Sequence, residues 1–225
     1  MLSTSILIGS TYIAPPGSLD FYGTYVSGQT YSWTIPDGVY RVRITLIGGG
    51  GAGTDGEATV CSIGGVVIAA GGGLNGSVGT GGTVNAVVGY VGQGNGGAAL
   101  VNGTGSNGGW GGGGGNSQYY GRHVDKCGGG CGIGGGGAAT MSSGGTGTFG
   151  TGARSHWDDD GYYMYPGSGY GFGSMGGGGA ACAQYYVNVV PGTVYTNSIT
   201  VGATGTGYYD PVPPGLGLVR IEWGV

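Results

Sequence analysis

The sequence predicts a mainly β and irregular protein with almost no α-helix, a glycine-rich domain in which framing β-strands surround packed polyglycine II-type helices. Three observations carry that expectation. Glycine fills 64 of 225 positions, and each glycine loses more conformational freedom on folding than other residues, by roughly 0.5–1 kcal/mol relative to Ala in regular structure. So many are tolerated only where geometry excludes side chains, or where the chain never folds. The second alternative fails on composition. Disordered chains are poor in aromatics and rich in charge, whereas this one has 17 Tyr, 4 Trp and 3 Phe, and only 7% of its residues are charged. Third, short segments alternate with period two and none shows helical periodicity. Collagen is excluded as well, since glycine keeps no strict period of three and there are only 8 Pro.

In chain order, "TYSWTIP" (30–36) is a strand, followed by a Pro-Asp-Gly turn and the strand "VYRVRITLIG" (39–48), where Val39, Arg41, Arg43 and Thr45 alternate with Tyr40, Val42, Ile44 and Leu46. "GGVVIAAGGG" (64–73) and "TVNAVVGYVG" (83–92) are short strand or extended pieces. "QYYVNVV" (184–190), the turn "PGT" and "VYTNSITVG" (194–202) read as a hairpin, and "LGLVRIEW" (216–223) as a last strand. Between them lie glycine runs at 48–51, 71–73, 111–115, 128–130, 134–137 and 176–179. An extended left-handed glycine helix has no internal hydrogen bonds, so its amides and carbonyls must pair with neighbours when buried. Side-by-side packing without any Cβ permits that. The glycines are therefore expected to form the core, with 128–137 and 176–179 extended and buried.

A net charge of −4 with six Lys and Arg leaves no basic patch for nucleic acid. No apolar run approaches the ~20 residues of a membrane span, and the N-terminus lacks the basic start of a secretion signal. Cys127 and Cys131, with His123 four residues earlier, have a spacing zinc could use. Structural zinc prefers four ligands and tighter cysteine pairs, so free thiols or a local disulfide are the simpler reading and no metal is expected. "GGAGTDGEA" (50–58) matches one copy of a calcium-binding repeat that works only when stacked, so a solvated loop carrying Asp55 and Glu57 is expected instead. G-x-G-x-x-G matches follow no strand–helix unit and are chance products of the composition. His156 lies beside Asp158, but nothing marks a nucleophile, so no enzyme and no cofactor are expected.

The ordered set "TIPDGVYRVRITLIGGGGAG", "GGGGAACAQYYVNVVPGTVYTNSITVG" and "PPGLGLVRIEW", spanning residues 34–223, resembles the glycine-rich domain common at the ends of bacteriophage tail fibres. It is similar, too, to the polyglycine-helix sandwich of tail-fibre adhesins. The resemblance implies a virion protein at the tail fibre or tail tip, assembled in the host cytoplasm, in which loops between glycine helices contact the host receptor. It implies residues 1–30 as a virion-attachment or oligomerisation segment, and 31–225 as the receptor-binding domain. Expected partners are a host surface protein or glycan and other fibre or virion subunits. Fibre parts are commonly trimers, so a homotrimer is the expected self-association.

Both histidines and many of the charged residues gather in "NSQYYGRHVDK" (116–126) and "RSHWDDDGYYMYPGSGYGF" (154–172), which interrupt glycine runs and so read as loops. Exposed aromatic clusters usually mark interaction sites, and rigid Tyr and Trp give contact area at low entropic cost. The expected receptor-binding residues are Arg154, His156, Trp157, Asp158, Asp159, Asp160, Tyr162, Tyr163 and Tyr165, with Tyr119, Tyr120 and Arg122 on a second loop. Tyr185 and Tyr186, inside a strand, are expected to pack over glycine segments. Two other functions fit the composition. One is a structural virion protein without a receptor, such as a capsid decoration or fibre cap. The other is an ice-binding polyglycine protein, whose flat small-residue face is a poor match for bulky aromatic loops.

Overall fold

The alternating segments assemble into two antiparallel sheets. A computed structural model describes residues 12–24, 27–51, 54–73, 180–205 and 215–225 with their side chains, and five strands between 90 and 165 as backbone. In the first sheet the spatial order is β1 (Gly17–Tyr22), β13 (Leu218–Trp223), β3 (Arg41–Ile47), β11 (Cys182–Asn188) and β6 (Tyr90–Gly94). In the second it is β2 (Gln29–Thr34), β12 (Val194–Val201), β4 (Thr59–Ile63) and β5 (Val66–Ala70). Two further ribbons pair separately from both, β7 (Gly137–Thr140) with β8 (Ser143–Gly145), and β9 (Arg154–Asp158) with β10 (Gly161–Tyr165). No helix occurs among the described residues.

Alternation decides which side chains meet. On β3, Val42, Ile44 and Leu46 face inward, in register with Val187, Tyr185 and Ala183 of β11. Ile221 and Val219 of β13 continue these rows. The second sheet meets them with Trp33, Ile199, Val201, Cys61, Ile63 and Ile68, all buried in one cluster. Full burial of such a side chain is worth roughly 1.5–3 kcal/mol, so the described region has an ordinary apolar core. The glycines were expected to form the core; the described ones at 48–51, 71–73 and 202 lie beyond the end of this apolar core, and the runs at 111–115, 128–136 and 176–179 lie outside the described residues. The physical reason is the spacing of Val, Ile and Leu on β3, β11 and β13, which gives the inner face enough apolar area to hold two sheets together. Tyr185 accordingly packs between the sheets rather than over glycine. Along one side, Phe21 lies against Tyr31 with ring centroids 5.1 Å apart, and Trp33 stacks with Trp223 at 6.3 Å.

The expected hairpin at 184–202 is not one. β11 belongs to the first sheet and β12 to the second, so "PGT" is a corner between sheets. The Pro36–Gly38 turn between β2 and β3 is a corner too, and the two corners hold each other: Ile35 N donates to Thr193 O and Gly192 N to Ile35 O, both at 2.9 Å. Pro36 and Pro191 lack an N–H and end their ladders, which releases the chain to change sheets. A true hairpin joins β4 to β5 across Gly64 and Gly65, with φ of 64° and 77°, the left-handed pair a two-residue turn requires. Strands β1 and β4 were not anticipated. The first, from within residues 1–30, forms the edge of a sheet by pairing with β13 from Gly17–Trp223 to Tyr22–Leu218.

These connections give the sandwich two unlike ends. At the turn pole lie both proline corners, the Gly64–Gly65 turn, residues 12–16 and residues 223–225. Here Ala14 N donates to Gly38 O at 3.2 Å and Trp223 Nε1 to Pro15 O at 3.0 Å. At the glycine pole lie the ends of β1, β3, β5, β6 and β12 and the starts of β2, β4, β11 and β13.

Candidate functional site

Beyond Ile47 the β3 strand runs into Gly48–Gly51, and the hydrogen bonding changes character. Gly48, Gly49 and Gly50 donate to Ala181 O (3.1 Å), Glu57 O (3.0 Å) and Gly215 O (2.8 Å), which belong to three separate segments. Two more segments donate back, Gly73 N to Gly49 O at 2.9 Å and Gly205 N to Gly50 O at 2.8 Å. Gly56 N to Gly73 O (2.7 Å), Glu57 N to Ala203 O and Ala181 N to Gly71 O (both 2.9 Å) tie the neighbours to one another. A β-strand bonds only to the two strands beside it in one plane; this run bonds in several directions. The glycines allow it by lacking side chains. A Cβ built on Gly49 would collide with Ala203 O, on Gly56 with Gly49 O, on Gly72 with Gly56 O, and on Gly202 with Glu57 O.

Two side chains close gaps in this backbone lattice. The buried Thr59 hydroxyl donates to Ile47 O at 2.7 Å and accepts from Gly202 N at 3.0 Å. The Glu57 carboxylate accepts from Ala203 N at 3.1 Å. Glu57 lies exposed in a loop, as expected, and its carboxylate reaches back to the lattice from there. Its position among glycines, with a threonine two residues on, is the signal that could have marked a polar side chain substituting for a missing amide partner. The Thr204 hydroxyl, buried here, has no hydrogen-bond partner.

The glycine pole matters because of what is anchored to it. β6 pairs with β11 so that Gly94 lies opposite Cys182. Residues 95–179 therefore leave and re-enter the sandwich side by side at this end, and the segment holding every expected receptor-binding residue begins and finishes there. Within it, β9 and β10 form an antiparallel ribbon whose register sets Arg154 opposite Tyr165, His156 opposite Tyr163, and Trp157 opposite Tyr162, with Asp158 opposite Gly161. By alternation, Arg154, His156, Tyr163 and Tyr165 share one face of the ribbon, and Trp157 and Tyr162 the other. The expected loop is thus a two-stranded ribbon in its first part, as the alternating "RSHWD" and "GYYMY" could have indicated. Asp159, Asp160, Tyr119, Tyr120 and Arg122 lie outside the described residues, as do His123, Cys127, Cys131, 128–136 and 176–179.

Two ion pairs lie on the outer face of the first sheet. Arg43 forks onto Glu222 with both bonds at 2.9 Å, and Arg220 onto Asp20 with both at 2.7 Å. The hydrogen bond from Arg220 holds the Asp20 carboxyl below its usual range, against a smaller opposing effect of burial. The thiols of Cys61 and Cys182 are buried and unoxidised, and loss of solvation pushes each up to about 12. The Tyr185 hydroxyl, beside Cys61, is raised by the same burial. Such thiols are poor nucleophiles at neutral pH. Comparison with known family models, curated proteins and solved structures finds no match for this chain.

Proposed function

We propose that this chain is a bacteriophage tail-fibre or tail-tip adhesin that recognises a host surface protein or glycan through the 154–172 segment, with 116–126 as a second contact. The observation that carries the reading is the two-ended architecture: the aromatic-rich segment departs from one pole, and residues 12–16 sit at the other. An adhesin needs that separation between a surface turned toward the host and a surface turned toward the virion. We further propose that the bonding of Gly48–Gly50 to three neighbours in succession is the start of a polyglycine II lattice, since a helix with three residues per turn points successive amides in three directions. Such a lattice continuing into the later glycine runs would hold the recognition segment with little help from side chains.

The test is adsorption. Binding energy concentrates in a few aromatic and Arg residues, and Trp157 and Tyr163 stand on opposite faces of the ribbon. Purified protein should block phage adsorption. The double change Trp157→Ala with Tyr163→Ala should weaken adsorption about tenfold or more, equivalent to about 1.4 kcal/mol, with the melting temperature unchanged. A folded variant that adsorbs at the parent's rate would remove this segment from the reading. Failure of the parent protein to compete would favour a structural virion protein without a receptor.

A further inference from the structure

At the turn pole, on the outer face of the first sheet, Arg41 sits over the Tyr186 ring, its guanidinium carbon 4.1 Å from the ring centroid. It differs from its neighbours. Arg43 and Arg220 are each forked onto a carboxylate, whereas no carboxylate lies within ion-pair reach of Arg41 among the described residues. The guanidinium is nonetheless held in place, because stacking on Tyr186 restricts a long side chain that would otherwise be mobile. It opens onto a cavity of about 290 Å³ that Tyr40, Trp223 and the Arg43–Glu222 pair also line. A second cavity, of about 580 Å³, adjoins it through Ala14 and Trp223 and is bordered by Tyr12 and Asp37. Tyr12 and Tyr40 are respectively 64% and 50% exposed.

From this arrangement we infer that the turn pole carries a binding site for an acidic saccharide, independent of the 154–172 segment. Each part of that chemistry has a counterpart. A carboxylate finds in Arg41 a fixed planar fork suited to bidentate pairing. Vicinal hydroxyls find an acceptor and donors in the Glu222 and Arg43 pair, where both signs of charge are already balanced. The apolar face of a pyranose finds the exposed ring of Tyr40, and the continuation into the second cavity suits an elongated chain rather than an isolated anion. A simple inorganic anion would have no use for the aromatic lining. An acidic peptide would meet the Arg43–Glu222 pair without vicinal hydroxyls to engage it.

Isothermal titration with trigalacturonate, maltotriose and triglutamate distinguishes these ligands on the full chain. Trigalacturonate should bind, more weakly as salt rises, and Arg41→Ala should weaken it by about tenfold or more. Arg41→Lys, which keeps the charge but not the fork, should fall between. Tyr40→Ala should weaken it as well, whereas Trp157→Ala with Tyr163→Ala should leave it unchanged, so this site and the adsorption segment fail separately. Arg41 and Tyr40 are exposed, and circular dichroism should show both variants folded as the parent. Any of three results overturns the inference: no binding of trigalacturonate at millimolar concentration, equal binding by parent and Arg41→Ala, or triglutamate or maltotriose binding as tightly as trigalacturonate.

Discussion

At the glycine pole, Gly49, Gly56 and Gly72 stand where a methyl group would collide with a neighbouring carbonyl, although none of them needs a left-handed backbone. At the turn pole, Gly65 and Gly192 face open space, yet hold φ of 77° and 75°. One residue type answers two different demands, close approach of backbones at one end and chain reversal at the other. The energetic consequences differ accordingly. A reversal can be met by another residue at modest strain, but a carbonyl inside van der Waals contact leaves no room for any side chain.

Substitution at the two ends tests that distinction, and the largest effect belongs to the lattice. Gly49→Ala should destabilise the protein by on the order of 3–5 kcal/mol, from overpacking and the hydrogen bonds it displaces, measured by urea unfolding. A midpoint within error of the parent would mean the lattice yields easily and the contrast is false. Next comes alkaline pH, which probes the apolar core between the poles. Folded thiols raised to about 12 from 9.0 stabilise the fold fully below pH 9, and that contribution is lost as pH rises toward 12. Unfolding free energy should fall above pH 9 by up to about 1.4 kcal/mol per pH unit for each thiol. Cys61→Ala should flatten that slope while lowering stability at neutral pH.

At the turn pole, Gly65→Ala should cost only about 1–2 kcal/mol, the strain of a left-handed backbone, and Gly65→Asn less than that. Equal losses for Gly49→Ala and Gly65→Ala would erase the difference between the poles. The smallest effect is expected at the sheet edge. Asp20, held low by Arg220, stabilises the fold above the ordinary carboxylate range, and that contribution disappears as pH falls below it. The pair is partly exposed, so Asp20→Asn should cost less than about 1 kcal/mol at neutral pH and make the acid side of the stability curve shallower.

Strands β3, β11, β12 and β13 were legible because each carries its own apolar alternation. β1 was not, because "GSLDFY" owes its place to a partner about 200 residues away, and no local pattern encodes that. The same limit explains the false hairpin: Pro191-Gly192 announces a turn but says nothing about which sheet the chain joins next. β4, "TVCSI", was too short to stand out beside the preceding loop. At the candidate site, the clustering of aromatics at 154–165 was visible, and its ribbon register less so. Arg41 over Tyr186 could not be foreseen, since it depends on two strands placed side by side by the fold.

The pairing of Gly94 with Cys182 has one more consequence. Closing a loop costs little extra as the loop lengthens, about 0.6 kcal/mol per doubling, and here both junctions are already held by a sheet ladder. The stretch between them resembles an interchangeable cassette on a constant chassis. Insertions, deletions or wholesale replacement by a neighbouring lineage could alter what is recognised while the chassis keeps its stability. If the segment recognises a host as proposed above, exchanging it at two points only a strand's width apart would change what is bound without changing the ladder that holds it.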